Sequence, residues 1–278
     1  MIFTIDTSVG YSQVNARLEL TNDSILKIFE DIACFHGNLA GENVLNSKTA
    51  WILTGYLVKV IRRPKYSEKI KICTWARVIH GITSVREFEI LDEEGSRCVI
   101  ASSGWAHINI EDKSLTRVTP ELVRAYDAEP DHKAFEEVGV PKLFAPYNMT
   151  KSSDFLISRN LTDIHNHLNN VKYLELAYMA IPDYAMYINE PNEFIINFRK
   201  QLPLGSVAES FYAKEDDSLY VVLKNKETGD TCAVIKLGLK SDSPNEETKK
   251  ALDEFREMKN NKTEHKRYQS FKEILDEV

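Results

Sequence analysis

The chain has 278 residues, 43% hydrophobic and 28% charged, a composition that fits one large folded domain or two ordinary ones and excludes a disordered or fibrous chain. A net charge of −7 argues against nucleic-acid binding, and no apolar run approaches the ~20 residues needed to span a bilayer. Met1-Ile2-Phe3 enters a strand-like pattern without a basic leader, and Cys34, Cys73, Cys98 and Cys232 form no CxxC pair. The expectation is a soluble cytoplasmic protein with reduced thiols.

Residues 2–9 read as a short strand. Thr21-Asn22 offers a helix N-cap, and Ile25, Ile28, Phe29, Ile32 and Ala33 mark one apolar helical face that Gly37 and Gly41 bound. Runs rich in β-branched and aromatic residues follow at 50–61, 69–79, 83–92 and 98–110. Arg63-Pro64, His80-Gly81 and Glu94-Gly95 part them, with connections short enough for antiparallel pairing. Thr119-Pro120, Glu129-Pro130, Val140-Pro141 and Ala145-Pro146 then punctuate a charged segment with one short helix near 120–126. It reads as a linker laid over the surface rather than a core element.

The opening pattern then returns: a strand at 151–158, a polar turn at 163–169, a helix at 170–181 ended by Pro182, and four strands at 193–200, 206–214, 218–225 and 231–238. Ile61-Arg62-Arg63 resembles Phe198-Arg199-Lys200, with Ile70 opposite Val207, and Gly95-Ser-Arg-Cys98 resembles Gly229-Asp-Thr-Cys232. A duplication follows, of two α+β units, each an antiparallel sheet wrapped around one long helix, with sheets or helices facing each other. The units span 1–112 and 150–240, joined by a linker at 113–149 and followed by a charged tail at 241–278 expected to form two amphipathic helices.

The densest chemistry lies in Asp163-Ile-His-Asn-His-Leu-Asn-Asn-Val-Lys-Tyr173. If 163–167 is extended, Asp163, His165 and His167 project to one side. Asn169 or Asn170 suits an N-cap, so an acid, two bases and the positive end of a helix dipole converge, enough for acid–base chemistry beside a polarised carbonyl. Polar residues also gather in turns for local hydrogen-bonding reasons alone, and the ligand types suit zinc. Histidines two apart are more often plain polar neighbours, so no metal is assigned.

These residues resemble those of the acyl–acyl carrier protein thioesterases of plants and bacteria, over about residues 2–240. Ile61-Arg-Arg-Pro64, Lys71-Ile-Cys-Thr-Trp75, Arg86-Glu-Phe88, Gly95 and Ser103-Gly-Trp105 stand in the family's order. An Asp-x-Asn-x-His-Val-Asn-Asn-x-x-Tyr segment is answered by Asp163, His165, His167, Leu168, Asn169, Asn170 and Tyr173. A strand motif Tyr-Arg-Arg-Glu-Cys is answered by Phe198-Arg199-Lys200-Gln201-Leu202, so one family carboxylate is replaced by Gln201 and the family cysteine by Leu202. The first-half turn, Gln13-Val-Asn15-Ala-Arg17, has neither carboxylate nor imidazole, which leaves the second half to carry the chemistry.

The resemblance implies a tandem double hotdog that hydrolyses fatty acyl thioesters of acyl carrier protein, with no cofactor. Asp163 would attack or deprotonate water, His167 position that water or protonate the thiolate, and His165 orient Asp163. Gln201 would bind water or substrate, Asn169, Asn170 and Tyr173 would contact substrate, and the helix start would polarise the carbonyl. An apolar slot lined by Trp51, Leu53 or Phe29 would take the acyl chain, although each fills a core equally well. Carrier proteins are acidic, so Arg62, Arg63, Lys65, Lys69, Lys172, Arg199 and Lys200 are candidates for a docking patch; edge-strand protection explains the same charges. The alternatives are a non-catalytic acyl-binding protein, or an acyl-coenzyme A thioesterase or dehydratase on the same scaffold. Whether chains pair into homodimers is left open.

Overall fold

The computed structural model describes residues 1–42, 47–181 and 190–238. The charged tail at 241–278 and Pro182 lie outside the described residues, and with them the expected tail helices.

Strand β1 (Phe3–Ser8) leads into helix α1 (Asn22–Leu39). Thr21 caps α1, its hydroxyl accepting from the Ser24 N–H at 3.3 Å. Ile25, Phe29 and Ile32 recur at helical spacing and are buried, Phe29 stacking on Phe88 with ring centroids 4.6 Å apart. Burying a Phe of this size contributes about 1.5–3 kcal/mol. The helix runs past Gly37 to Leu39, and Gly41, just beyond its cap Ala40, takes a φ of +91° that a β-carbon would strain.

Strands β2 (Thr49–Val60), β3 (Lys69–His80), β4 (Thr83–Leu91) and β5 (Arg97–Asn109) wrap this helix in the antiparallel order β1-β3-β4-β5-β2. Short helix α2 (Pro120–Tyr126) follows, with Thr119 as its cap. The second half repeats the plan: β6 (Thr150–Leu156), α3 (Asn170–Ala180), β7 (Glu193–Phe198), β8 (Val207–Glu215), β9 (Ser218–Asn225) and β10 (Thr231–Gly238).

The two halves do not stack sheet on sheet. Antiparallel pairing of β2 with β7, from Gly55 opposite Asn197 to Lys59 opposite Glu193, joins them into one ten-stranded sheet. Of the two expected arrangements, sheets or helices facing each other, the facing sheets are corrected, because an unpaired β2 edge would leave a row of backbone donors and acceptors without partners, and the helices are the elements that meet. Gly55 is required at the seam: a β-carbon there would lie 2.5 Å from the Ile196 carbonyl oxygen. With the sheet continuous, α1 and α3 lie on the same side and touch, and a single apolar core runs under both.

The linker is also more than a surface strap. It crosses the sheet face opposite the helices and contributes buried side chains to two smaller clusters, Ala134 beside Cys73, Trp75 and Ile100, and Leu143 beside Ile195, Val222 and Val234. A buried Arg77–Glu87 pair at 2.7 Å anchors it. Arg77 donates to the carbonyls of Phe135 and Glu136, and Glu87 accepts from the Ala134 N–H. Each charge in that pair has further hydrogen bonds, the condition for ions to be buried without a large net penalty.

Candidate active site

Residues 163–167 are not extended. Asp163 folds them into a tight turn: its Oδ1 accepts from the N–H groups of His165 (2.8 Å) and His167 (3.1 Å), and its own N–H donates to the His167 carbonyl at 2.8 Å. Asn166 takes the left-handed conformation, φ +59°, that this closure needs and that Asn tolerates better than most residues. The one-sided projection expected of Asp163, His165 and His167 is therefore corrected. A side chain that competes for backbone donors overrides the alternating pattern.

The turn delivers the chain to α3. Asn169 is its N-cap, Oδ1 accepting from the Val171 N–H at 2.9 Å. The Asn170 N–H, the first of the helix, has no acceptor among the described residues. Asp163 Oδ2 makes no hydrogen bond or ion pair among them either. His167 is half-buried and its Nδ1 is buried without a partner. Glu30 reaches this place from α1 of the first half, its Oε2 3.5 Å from Asn169 Nδ2. Burial, reinforced by the charges of Asp31 and Asp163, raises the Glu30 carboxyl above the ordinary glutamate range, against the opposing pull of the Asn169 and Asn170 amides.

The first half contains the same construction. Asn15 Oδ1 accepts from the N–H groups of Arg17 and Glu19, Leu18 takes φ +59°, and Thr21 caps α1. Leu20 N–H donates to Pro64 O as Leu168 N–H does to Leu202 O, both at 2.8 Å. The two helix starts differ in what lies over them. At α1, the Asn22 N–H donates to the Glu190 carboxylate at 2.6 Å, and Asn22 Nδ2 donates to the Tyr178 hydroxyl and the Pro191 carbonyl. Arg63 closes the space by bonding Glu190 and the Leu20 carbonyl. One helix start is sealed by the protein's own carboxylate, and the other, where Asn170 is the counterpart of Asn22, is open among the described residues.

The remaining expected residues are not gathered here. His165 is exposed; only its backbone N–H touches Asp163, so no imidazole orients that carboxylate. Gln201 is exposed in the turn after β7. Tyr173 is buried, its ring edge-on to Phe198 and its hydroxyl 3.5 Å from the Lys200 carbonyl, and burial raises its pKa. Phe29 and Leu53 are core residues, and the Trp51 indole donates to Glu42 at 3.0 Å. Of the basic candidates, Arg62, Arg63, Lys69 and Lys172 are paired with carboxylates of this chain, and Arg199 donates to the Leu143 carbonyl. The match of Cys98 with Cys232 holds, whereas that of Ile61 with Phe198 is one residue out of register. Ile61 and Arg62 N–H groups both donate to Cys98 O, and those of Arg199 and Lys200 to Cys232 O, so Ile61 corresponds to Arg199.

Residues 2–126 match the family model described as the acyl-ACP thioesterase N-terminal domain, and residues 147–257 the one described as the C-terminal domain. The chain is 23% identical over 225 residues to oleoyl-acyl carrier protein thioesterase 2, chloroplastic, of Arabidopsis thaliana; the match covers 73% of this chain and 60% of that protein's own length. Among solved structures, the 12:0-ACP thioesterase from Umbellularia californica superposes with a TM-score of 0.73 at 16% identity, covering 85% of this chain and 96% of that one. An acyl-ACP thioesterase from Bacteroides thetaiotaomicron gives 0.71 at 18%, covering 85% and 97%. The expected fold, a tandem of two hotdog units, is the one this chain adopts.

Proposed function

Because the chain belongs to the acyl-ACP thioesterase family, we propose that it hydrolyses the thioester joining a fatty acyl chain to the pantetheine arm of acyl carrier protein. The observation that carries this reading is the contrast between the helix starts: Asn22 N–H holds a carboxylate oxygen, whereas Asn170 N–H holds none among the described residues. A backbone donor at a helix start that binds one anionic oxygen is suited to bind another. In this reading the substrate carbonyl oxygen takes the place at Asn170 that Glu190 takes at Asn22, and the N–H stabilises the oxyanion as it forms.

Asp163 supplies the base. Its Oδ1 is fixed by two backbone donors and Oδ2 is left to accept a proton from water, which a pre-positioned carboxylate does without reorganising. His167, half-buried in the same turn, is assigned to position that water. Gln201 is given no chemical step, since an amide is no base. The exposed Lys65 and Lys200, which have no ion pair among the described residues, offer charge to an acidic carrier protein. The four free cysteines fit the cytoplasmic setting proposed for the chain.

The test follows free thiol from acyl-carrier-protein and acyl-coenzyme A thioesters of one chain length. Release from the carrier-protein ester, reduced about 10²–10⁴-fold in Asp163→Asn, is the expected result. Saturable acyl binding without release would make this a binding protein, and release from the coenzyme A ester alone would change the substrate.

A further inference from the structure

The duplication equates Glu30 with Tyr178: one lies fifteen residues after Asn15, the other fifteen after Asp163. Each reaches across to the start of the other helix. Tyr178 accepts from Asn22 Nδ2 at 2.9 Å over the sealed start, and Glu30 approaches Asn169 Nδ2 at 3.5 Å over the open one. At the sealed start this position completes a closed hydrogen-bond cluster. At the open start it brings a carboxyl group, with no cationic partner among the described residues, beside the free N–H and Asp163. Tyr56 adds an independent buried polar group on the same side as Glu30. Only 2% exposed, it keeps a hydroxyl without a hydrogen-bond partner, within electrostatic range of Glu30.

We propose that Glu30 is a catalytic residue of the hydrolysis proposed above, donating the proton that the departing thiolate takes up. The assignment rests on that hydrolase reading. Asp163 removes one proton from water as the water oxygen bonds to the acyl carbon. When the intermediate collapses, the C–S bond breaks, sulfur leaves with the electron pair, and the Glu30 O–H proton passes to it. The proton held on Asp163 then returns through solvent to Glu30, so one water is consumed and one acid and one thiol are made. Two carboxyl groups in environments that differ in this way divide into an acid and a base. The groups facing Glu30 are Asp31 and Cys34 on α1, Asp163, Asn169 and Asn170 on the turn and α3, and Tyr56 on β2; burial and the neighbouring carboxylates favour its protonated form.

The experiment varies the leaving group. Acyl-N-acetylcysteamine releases a basic alkyl thiolate that needs a proton, and the 4-nitrothiophenyl ester of the same acyl chain releases an acidic thiol that does not. Glu30→Gln is expected to slow the first at least about 100-fold and the second less than about threefold, while Asp163→Asn slows both. Thermal melting of each variant, monitored by circular dichroism, establishes that it is folded before rates are compared, and Glu30→Asp, which keeps the acid, is expected to recover part of the alkyl-ester rate. A folded Glu30→Gln that slows both esters equally, or neither, overturns the role of Glu30 and leaves the hydrolase reading standing. A wild-type protein that releases thiol from no ester overturns both.

Discussion

Asp163 does two things with one side chain, and they can be separated. Oδ1 holds the turn, a task Asn15 performs in the first half with an amide oxygen. Asp163→Asn is therefore expected to keep the melting temperature of the wild type while losing thiol release, whereas Asp163→Ala loses both. His165 is exposed and touches the site only through its backbone, so His165→Ala is expected to stay within about threefold of the wild-type rate. A larger loss would return the imidazole to the chemistry. Glu30 carries a stability cost of definite sign. Its folded pKa is raised, so the unfolded chain ionises first, and the stability present below the ordinary glutamate pKa is lost as pH rises through the folded value. Glu30→Gln should accordingly raise the melting temperature at about pH 8 and leave it unchanged near about pH 3, where both states are protonated. Paired melting curves at the two pH values decide it.

The two long helices start alike and do different work. Thr21 and Asn169 cap them, and replacing either with Ala is expected to cost about 1 kcal/mol in urea unfolding. Only Asn169→Ala should also slow thiol release, because only α3 has an open first N–H among the described residues. Equal effects on rate would mean the two starts are functionally alike. Most elements were legible from residue patterns: alternation bounded by His80-Gly81 or Glu94-Gly95 marked strands, and Thr21 and Asn169 marked helix starts. The 163–167 turn was not. Alternating polar residues look extended, and periodicity does not register an Asp that captures two backbone N–H groups or an Asn that turns left-handed. Nothing in the helical pattern around Glu30 marks it, because its surroundings are built by residues 163–170, far along the chain. The signal that could have found it was the duplication itself, with Asn15 set against Asp163, which places Glu30 opposite Tyr178.

At the scale of the whole molecule, the seam between β2 and β7 puts Glu30 from one half against Asn169 from the other. That seam was hidden in the sequence because any unpaired strand edge satisfies the same local pattern, and only the completed fold decides which two edges meet. Gly55→Val is expected to cost about 1–3 kcal/mol in urea, since a side chain would press on the Ile196 carbonyl and the paired backbone cannot withdraw. An unchanged urea midpoint would contradict the seam.

The proposed hydrolysis depends on an α3 start that is open to a substrate oxygen among the described residues, beside an α1 start closed by Glu190. The most direct measurement is backbone amide NMR during titration with an acyl-pantetheine analogue whose thioester is replaced by an amide. A saturable shift at the Asn170 N–H with Asn22 unmoved is expected; a shift at Asn22, or none at Asn170 when the analogue is bound, would contradict the proposed site.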